Sequence, residues 1–147
     1  MVRTSVRRVL VYPLAGLLAA CSDSSGANTH DFAGDWQYVE VLTDLPKGIA
    51  CTDTGVYHFN QMGTDVDGYY IQRGICSTPG GFVNNADSDA VYLGRVLGHT
   101  LEFRASLYCD YDGTLDLNTG ILSGVGICMI PRSGDTVALQ GTWTATR

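Results

Sequence analysis

From Gly34 onward, short runs of alternating apolar and polar residues follow one another, separated by Gly, Asp and Asn. Alternation with a period of two is typical of strands that bury one face. No window of helical length shows the 3.6-residue apolar spacing of an amphipathic helix. The pattern therefore predicts one all-β domain of eight strands, over residues 34–42, 54–61, 65–74, 89–97, 100–108, 114–118, 121–129 and 136–146.

The links between these predicted strands are mostly very short. Met62-Gly63, Gly98-His99 and Thr119-Gly120 mark tight hairpin turns, in which glycine readily adopts a positive φ. Such links make sequential strands antiparallel neighbours, which gives a meander. Eight meandering strands can close into an up-and-down barrel, because closure removes the exposed strand edges. A two-sheet β-sandwich is the alternative.

The hairpin turns also predict how four of the five cysteines pair. A turn at residues 62–63 brings Cys51 and Cys76 within two residues of cross-strand register, and a turn at 119–120 does the same for Cys109 and Cys128. We therefore predict the disulfide bonds Cys51–Cys76 and Cys109–Cys128, which suit an exported domain in an oxidising compartment. A four-cysteine metal site is the alternative, but the close CxxC spacing of such sites is absent.

Residues 1–20 have the three parts of an export signal. Arg3, Arg7 and Arg8 form a positive start, an apolar run covers residues 9–18, and two small alanines complete the segment. The apolar run is too short to remain as a membrane-spanning helix. An ordinary signal peptide that happens to end near a cysteine would also have these parts.

The sequence Leu18-Ala19-Ala20-Cys21 resembles the lipobox of bacterial lipoproteins. This resemblance implies cleavage before Cys21, acylation of Cys21 with palmitate-type chains, and anchoring in the membrane of the cell envelope. In bacterial lipoproteins, an Asp directly after the lipidated cysteine resembles a signal for retention in the inner membrane. This chain has Ser22 at that position, which favours the outer membrane, on its periplasmic or surface face. We therefore expect a signal peptide over 1–20, a lipidated flexible tether over 21–31 and a barrel domain over 32–147.

The charge of the chain restricts its partners. The formal net charge is −6, and three of the nine basic residues lie in the first 20 residues, which hold no acidic residue. The remaining chain is therefore strongly acidic, and it would repel the phosphates of nucleic acids and of anionic lipids. Nucleic acid is not an expected partner, and we expect attachment to a membrane to depend on the acyl chains of Cys21.

The first predicted strand opens with Gly34-Asp35-Trp36, which resembles the G-x-W of the lipocalin and avidin-like superfamilies. The repeated short, glycine-containing runs over residues 32–147 also look like those of the small lipocalin-like barrels of bacterial exported proteins. It implies that Trp36 packs across the barrel floor. It also implies that a basic residue from the end of the chain stacks on this tryptophan, and Arg147 is the candidate.

Alternation places a set of aromatic residues on consistent faces of the predicted strands. If those faces point inward, two outcomes are open: the side chains fill the barrel, or they line a pocket for a small molecule. The candidate ligand-binding residues are Trp36, Tyr38, Tyr57, Tyr70, Phe103 and Trp143.

No nucleophile–base pair, metal-ligand pattern or phosphate-binding glycine loop is evident in the sequence. We therefore expect no catalytic residues, no metal and no cofactor. The first hypothesis is a non-enzymatic, lipid-anchored envelope protein that binds a small apolar or aromatic ligand in or at the mouth of the barrel. The second is a protein-interaction module with an envelope protein as partner, such as an inhibitor of exported proteases or an assembly or structural lipoprotein.

Overall fold

The structure, a computed structural model, describes residues 29–147. The predictions for the signal peptide, for Cys21 and for most of the tether lie outside the described residues. Residues 29–147 form nine strands, numbered β1 to β9 in chain order, and a single 3₁₀ turn over Leu45–Lys47. The strands are Gly34–Asp44, Ile49–Met62, Asp65–Thr78, Gly81–Asn84, Asp87–Leu97, Thr100–Ala105, Cys109–Asp116, Ile121–Arg132 and Asp135–Thr146.

Eight of the nine described strands close into an antiparallel barrel. Each barrel strand pairs with the strand next to it along the chain, apart from the inserted β4, and β1 pairs with both β2 and β9 to close the ring. The up-and-down meander predicted from the short links is confirmed, and the alternative of a two-sheet sandwich is wrong. None of the described residues forms a helix that is long and apolar enough to cross a bilayer.

Strand β4 was not predicted. Strand β3 continues to Thr78, beyond the predicted end at residue 74. Its first part pairs with β5 and its last four residues pair with β4. All four residues of β4 are exposed. The strand therefore has no buried face, and without one there is no alternation to detect.

Several of the predicted strand boundaries were wrong by three to five residues; β2, for example, begins at Ile49 instead of residue 54. Strand β6 ends at Ala105 instead of 108, and β7 covers Cys109–Asp116 instead of 114–118. Asp110, Asp112 and Gly113 are residues typical of turns, which hid the strand. They nevertheless lie in a strand, because Tyr111 between the two acids points into the core.

The end of the barrel at which β1 begins is closed by the segment before β1. Phe32 is fully buried beneath the barrel, and the Gln61 side chain accepts a hydrogen bond from its backbone N–H at 2.7 Å. The Arg147 guanidinium carbon lies 4.8 Å from the centroid of the Trp36 ring, which is the contact that the lipocalin resemblance implies. The same guanidinium donates hydrogen bonds to the backbone oxygens of Asp31 and Ala33. We call this end the floor.

Both predicted disulfide bonds are present, at the opposite end of the barrel. Cys51 pairs directly with Cys76 across β2 and β3, and Cys109 pairs directly with Cys128 across β7 and β8. Each closes a modest loop, so each is expected to stabilise the fold by about 3 kcal/mol in the chain-entropy model. We call this end the mouth.

The middle of the barrel is filled with aromatic rings. Tyr57 is 1% exposed and lies at the centre of the cluster, with its ring centroid between 4.1 and 6.2 Å from six others. These six rings belong to Tyr38, Phe59, Tyr70, Phe103, Tyr111 and Trp143. Offset and edge-to-face pairs at such distances stabilise a core beyond their buried area.

Gly113 makes room for one of these rings. A Cβ atom at Gly113 would lie 2.6 Å from Cζ2 of Trp143, whose indole N–H donates to the Asp112 carbonyl at 3.0 Å. We expect Gly113→Ala to lower the free energy of unfolding by about 1–3 kcal/mol, because the indole must shift in a filled core. Urea denaturation measures this effect. Thr114→Ala is the control, because Thr114 is exposed and directly follows Gly113 in β7, and it should change stability by less than about 0.5 kcal/mol. Gly120→Ala would not serve, because Gly120 has a positive φ that alanine adopts only with strain.

Candidate functional site: the mouth cavity

The mouth of the barrel contains a cavity of about 230 Å³ above the aromatic core. Larger hollows exist on the outer wall, such as the one beside Leu93 and Arg104, but they are more open to solvent. The residues that line the mouth cavity are Glu40, Leu42, Asp53, Tyr70, Gln72, Asn85, Asp87, Asp89, Ala105, Ser106, Tyr108, Cys109, Tyr111, Cys128, Ile130 and Leu139. Among these described residues none is Lys, Arg or His, and four are carboxylic acids.

Strand β1 places Glu40 at the bottom of the cavity. Alternate residues of β1 point inward, so the buried series runs from Trp36 and Tyr38 at the core to Glu40 and then Leu42 toward the mouth. Glu40 is only 2% exposed, and among the described residues its Oε2 atom has no hydrogen-bond partner. A buried carboxylate oxygen without a donor is costly, and native proteins rarely leave one.

Asp53 lies directly opposite Glu40 across the β1–β2 pair. It is 1% exposed, and both of its carboxylate oxygens accept hydrogen bonds at 3.0 Å from the side-chain amide of Asn85. Gly74 makes room for this carboxylate, since a Cβ there would lie 1.7 Å from Asp53 Oδ1. The two buried acids are therefore cross-strand neighbours, an arrangement that is unfavourable when both are ionised.

Burial shifts the titration of both acids. It raises the pKa of Glu40 to about 7; the Tyr111 hydroxyl opposes the rise and the nearby Asp53 carboxylate adds to it. Burial also raises the pKa of Asp53, and the Asn85 amide opposes that rise. Near neutral pH the bottom of the cavity therefore holds a carboxyl group poised between its neutral and charged forms.

The rim of the cavity adds further acids on β5. The Tyr70 hydroxyl donates a hydrogen bond to Asp87 Oδ2 at 2.7 Å, and Asp89 lies two residues further along the same strand. Burial and the Asp87 carboxylate raise the pKa of Tyr70 well above its ordinary value, so this tyrosine keeps its proton. Tyr38 donates at 3.1 Å to Gln72, whose amide in turn donates to the Asn85 carbonyl, and this ties the rim to the core.

The other wall of the cavity is apolar. Leu42, Leu139 and the Cys109–Cys128 disulfide belong to one buried cluster, with Ile130 packed against it. The cavity thus combines an acidic side, from β1, β2 and β5, with an apolar side, mainly from β8 and β9. Pockets that bind small molecules have this combination of an apolar surface and a few placed polar groups.

The six aromatic residues named from the sequence as ligand contacts are brought together, but mostly as core. Tyr70 lines the mouth cavity, whereas Trp36, Tyr38, Tyr57, Phe103 and Trp143 pack on one another beneath it.

Sequence reasoning missed Glu40 and Asp53. Glu40 shares the period-two spacing of Trp36, Tyr38 and Leu42 and so falls on the same face of the strand. The pattern therefore already placed a carboxylate on the inward face. Asp53 was missed because the second strand was predicted to begin at residue 54, whereas β2 begins at Ile49, five residues earlier.

No three His, Cys, Asp or Glu side chains within residues 29–147 form a group that could hold a metal ion. Comparison of the chain with protein-family models, with curated proteins and with solved structures finds no match.

Proposed function

We propose that this protein is a lipid-anchored protein of the cell envelope that binds a small organic molecule in the mouth of its barrel. The observation that carries the proposal is the mouth cavity, a concave space of about 230 Å³, partly open to solvent, above an otherwise filled barrel. Its volume is below the roughly 300–1,000 Å³ of drug-sized pockets, so the ligand is small. The apolar wall formed by Leu42 and Leu139 supports a ligand with an apolar part.

A mutation that fills the cavity tests this proposal. Ile130 lines the cavity near its rim and is half-buried, whereas the adjacent Met129 points outward and is 52% exposed. We expect native mass spectrometry of the full chain, purified in mild detergent, to find a bound small molecule that Ile130→Trp removes and Met129→Trp retains. If no small molecule accompanies the wild-type chain, and none from a library of amphiphiles raises its melting temperature, the ligand-binding proposal is wrong.

The lipid anchor is a separate part of the proposal. It rests on Leu18-Ala19-Ala20-Cys21 and on the place where the chain enters the barrel. The His30 N–H donates to the Gly98 carbonyl at the floor, so an anchor at Cys21 would leave the mouth facing away from the bilayer. Labelled palmitate should enter the wild-type chain and not Cys21→Ser; equal labelling of both would exclude the anchor.

A second candidate function is the docking of an envelope protein at the β3–β4 hairpin. Phe82 is 82% exposed and Ile75 58%, and β4 pairs on one side only among the described strands. Exposed apolar side chains beside a free strand edge are typical of protein contacts. Under this reading, Phe82→Glu should abolish cross-linking to a partner in intact cells while Ile130→Trp leaves it unchanged; the reverse result would favour the ligand function.

A further inference from the structure

We infer that the mouth ligand is an organic cation, a small protonated amine with an apolar body, whose ammonium group binds Glu40. The inference rests on the proposed ligand-binding function and names the chemical class of the ligand. Four carboxylic acids from three strands line the cavity, and among the described lining residues there is no cationic side chain to balance them.

The two buried acids are not equivalent. Both oxygens of Asp53 accept from the Asn85 amide, whereas Glu40, which lines the bottom of the cavity, has an Oε2 atom with no hydrogen-bond donor among the described residues. A neutral apolar ligand or an anion would leave this oxygen without a donor, which is unfavourable for a buried carboxylate. An ammonium group supplies the missing N–H donor and also the opposite charge that two cross-strand carboxylates require.

The geometry favours an ammonium over a guanidinium or a metal ion. A guanidinium binds best when both oxygens of one carboxylate accept its planar fork. The mouth cavity of about 230 Å³ is small, and the compact charge of an amine suits the buried Glu40 carboxyl group better than a planar fork does. A metal ion needs several oxygens that converge, and the described residues contain no such group.

The apolar wall determines the rest of the ligand. Leu42 lies two residues beyond Glu40 on the inward face of β1, and Leu139 and Ile130 lie on the same side of the mouth. A ligand whose ammonium reaches Glu40 therefore has its carbon skeleton beside these side chains and the rings of Tyr70 and Tyr108. Burial of that skeleton against the apolar wall would add a favourable hydrophobic contribution to binding.

Amine binding should depend on pH. The titratable groups that line the cavity together with Glu40 are Asp53 from β2, Tyr70 from β3, Asp87 and Asp89 from β5, Tyr108 just before β7 and Tyr111 within β7. The Tyr70 and Tyr111 hydroxyls have a raised pKa and stay neutral, whereas burial raises the pKa of Glu40 to about 7, so Glu40 changes its charge near neutral pH. Because the cation prefers ionised Glu40, the affinity should rise as the pH increases through about 7.

Isothermal titration of the full chain in non-ionic detergent tests the inference with three probes of one shape. Phenethylamine is the cation, 2-phenylethanol the neutral analogue and phenylacetate the anion; hexylamine and calcium chloride extend the series. We expect the amines to bind and the alcohol and the acid not to. Glu40→Gln should weaken amine binding about 10- to 100-fold, as the loss of a charged hydrogen bond predicts. The matched control Glu102→Gln, on the exposed face of β6, should leave binding unchanged.

The outcomes separate this inference from the proposed function. Equal binding of alcohol and amine, insensitive to Glu40→Gln but removed by Ile130→Trp, would overturn the cation and keep the ligand site. Calcium binding that needs Glu40, without amine binding, would overturn the amine. A natural ligand identified by mass spectrometry as neutral or anionic would also overturn it. A melting temperature of Glu40→Gln at or above that of the wild type at pH 8 shows that lost binding is not lost folding.

Discussion

Replacement of Tyr57 by alanine is expected to lower the free energy of unfolding by about 3–5 kcal/mol, a large part of the stability of a domain this size. Tyr57 is 1% exposed and its ring contacts six aromatic neighbours in the middle of the barrel. Removal of the ring leaves a cavity that rigid strands cannot collapse to fill. Urea denaturation followed by tryptophan fluorescence measures the loss, since Trp36 and Trp143 report on the same core.

Tyr69→Ala is the matched control. Tyr69 lies on β3 beside the same strand pair, but it points outward and is 48% exposed. Its replacement should cost less than about 1 kcal/mol. Equal losses for the two variants would show that the aromatic cluster does not hold the barrel together.

The second large effect concerns the pH dependence of stability. The pKa of Glu40 rises from 4.5 in the unfolded chain to about 7 in the folded one, because burial penalises the charged form. A raised folded pKa means that the folded state binds more protons between these values, so stability is full below pH 4.5 and falls as the pH rises through 7. The single group accounts for a loss of about 3 kcal/mol.

Glu40→Gln removes this group while it keeps the size of the side chain. We expect the variant to match the wild type within about 1 kcal/mol at pH 5 and to exceed it by about 3 kcal/mol at pH 8. Urea denaturation at a series of pH values measures both curves. The exposed Glu102→Gln should follow the wild-type curve, and parallel curves for Glu40→Gln and the wild type would contradict the buried charge.

Much of the fold could be predicted because its signals are local. Residues such as Trp36, Tyr38 and Leu42 alternate strictly with exposed ones, and alternation reports directly which face of a strand is buried. The glycine turns determined which strands are neighbours and the approximate register, and register in turn determined the cysteine pairs. The barrel and both disulfides follow from these two signals.

The candidate site was harder to predict because its residues break the same rules. Glu40 and Asp53 are charged residues at buried positions, and a reading that assigns polar residues to the surface passes over them. Asn85, which satisfies Asp53, comes from the link between β4 and β5, 32 residues away along the chain. Sequence patterns contain no signal for such long-range polar contacts. Charged residues at buried strand positions break the local pattern, and such exceptions are expected at functional sites.

The position of the two disulfides has a consequence for affinity. Both lie at the mouth, where they cross-link β2 to β3 and β7 to β8, and the Cys109–Cys128 bond is itself part of the cavity wall. A wall that is covalently ordered before the ligand arrives has less freedom to lose on binding, so it is pre-organised. Reduction of these bonds would leave the aromatic core in place and loosen the mouth first. Under the proposed ligand-binding function, the thiol–disulfide balance of the surrounding compartment would then affect how tightly a ligand is held in the mouth.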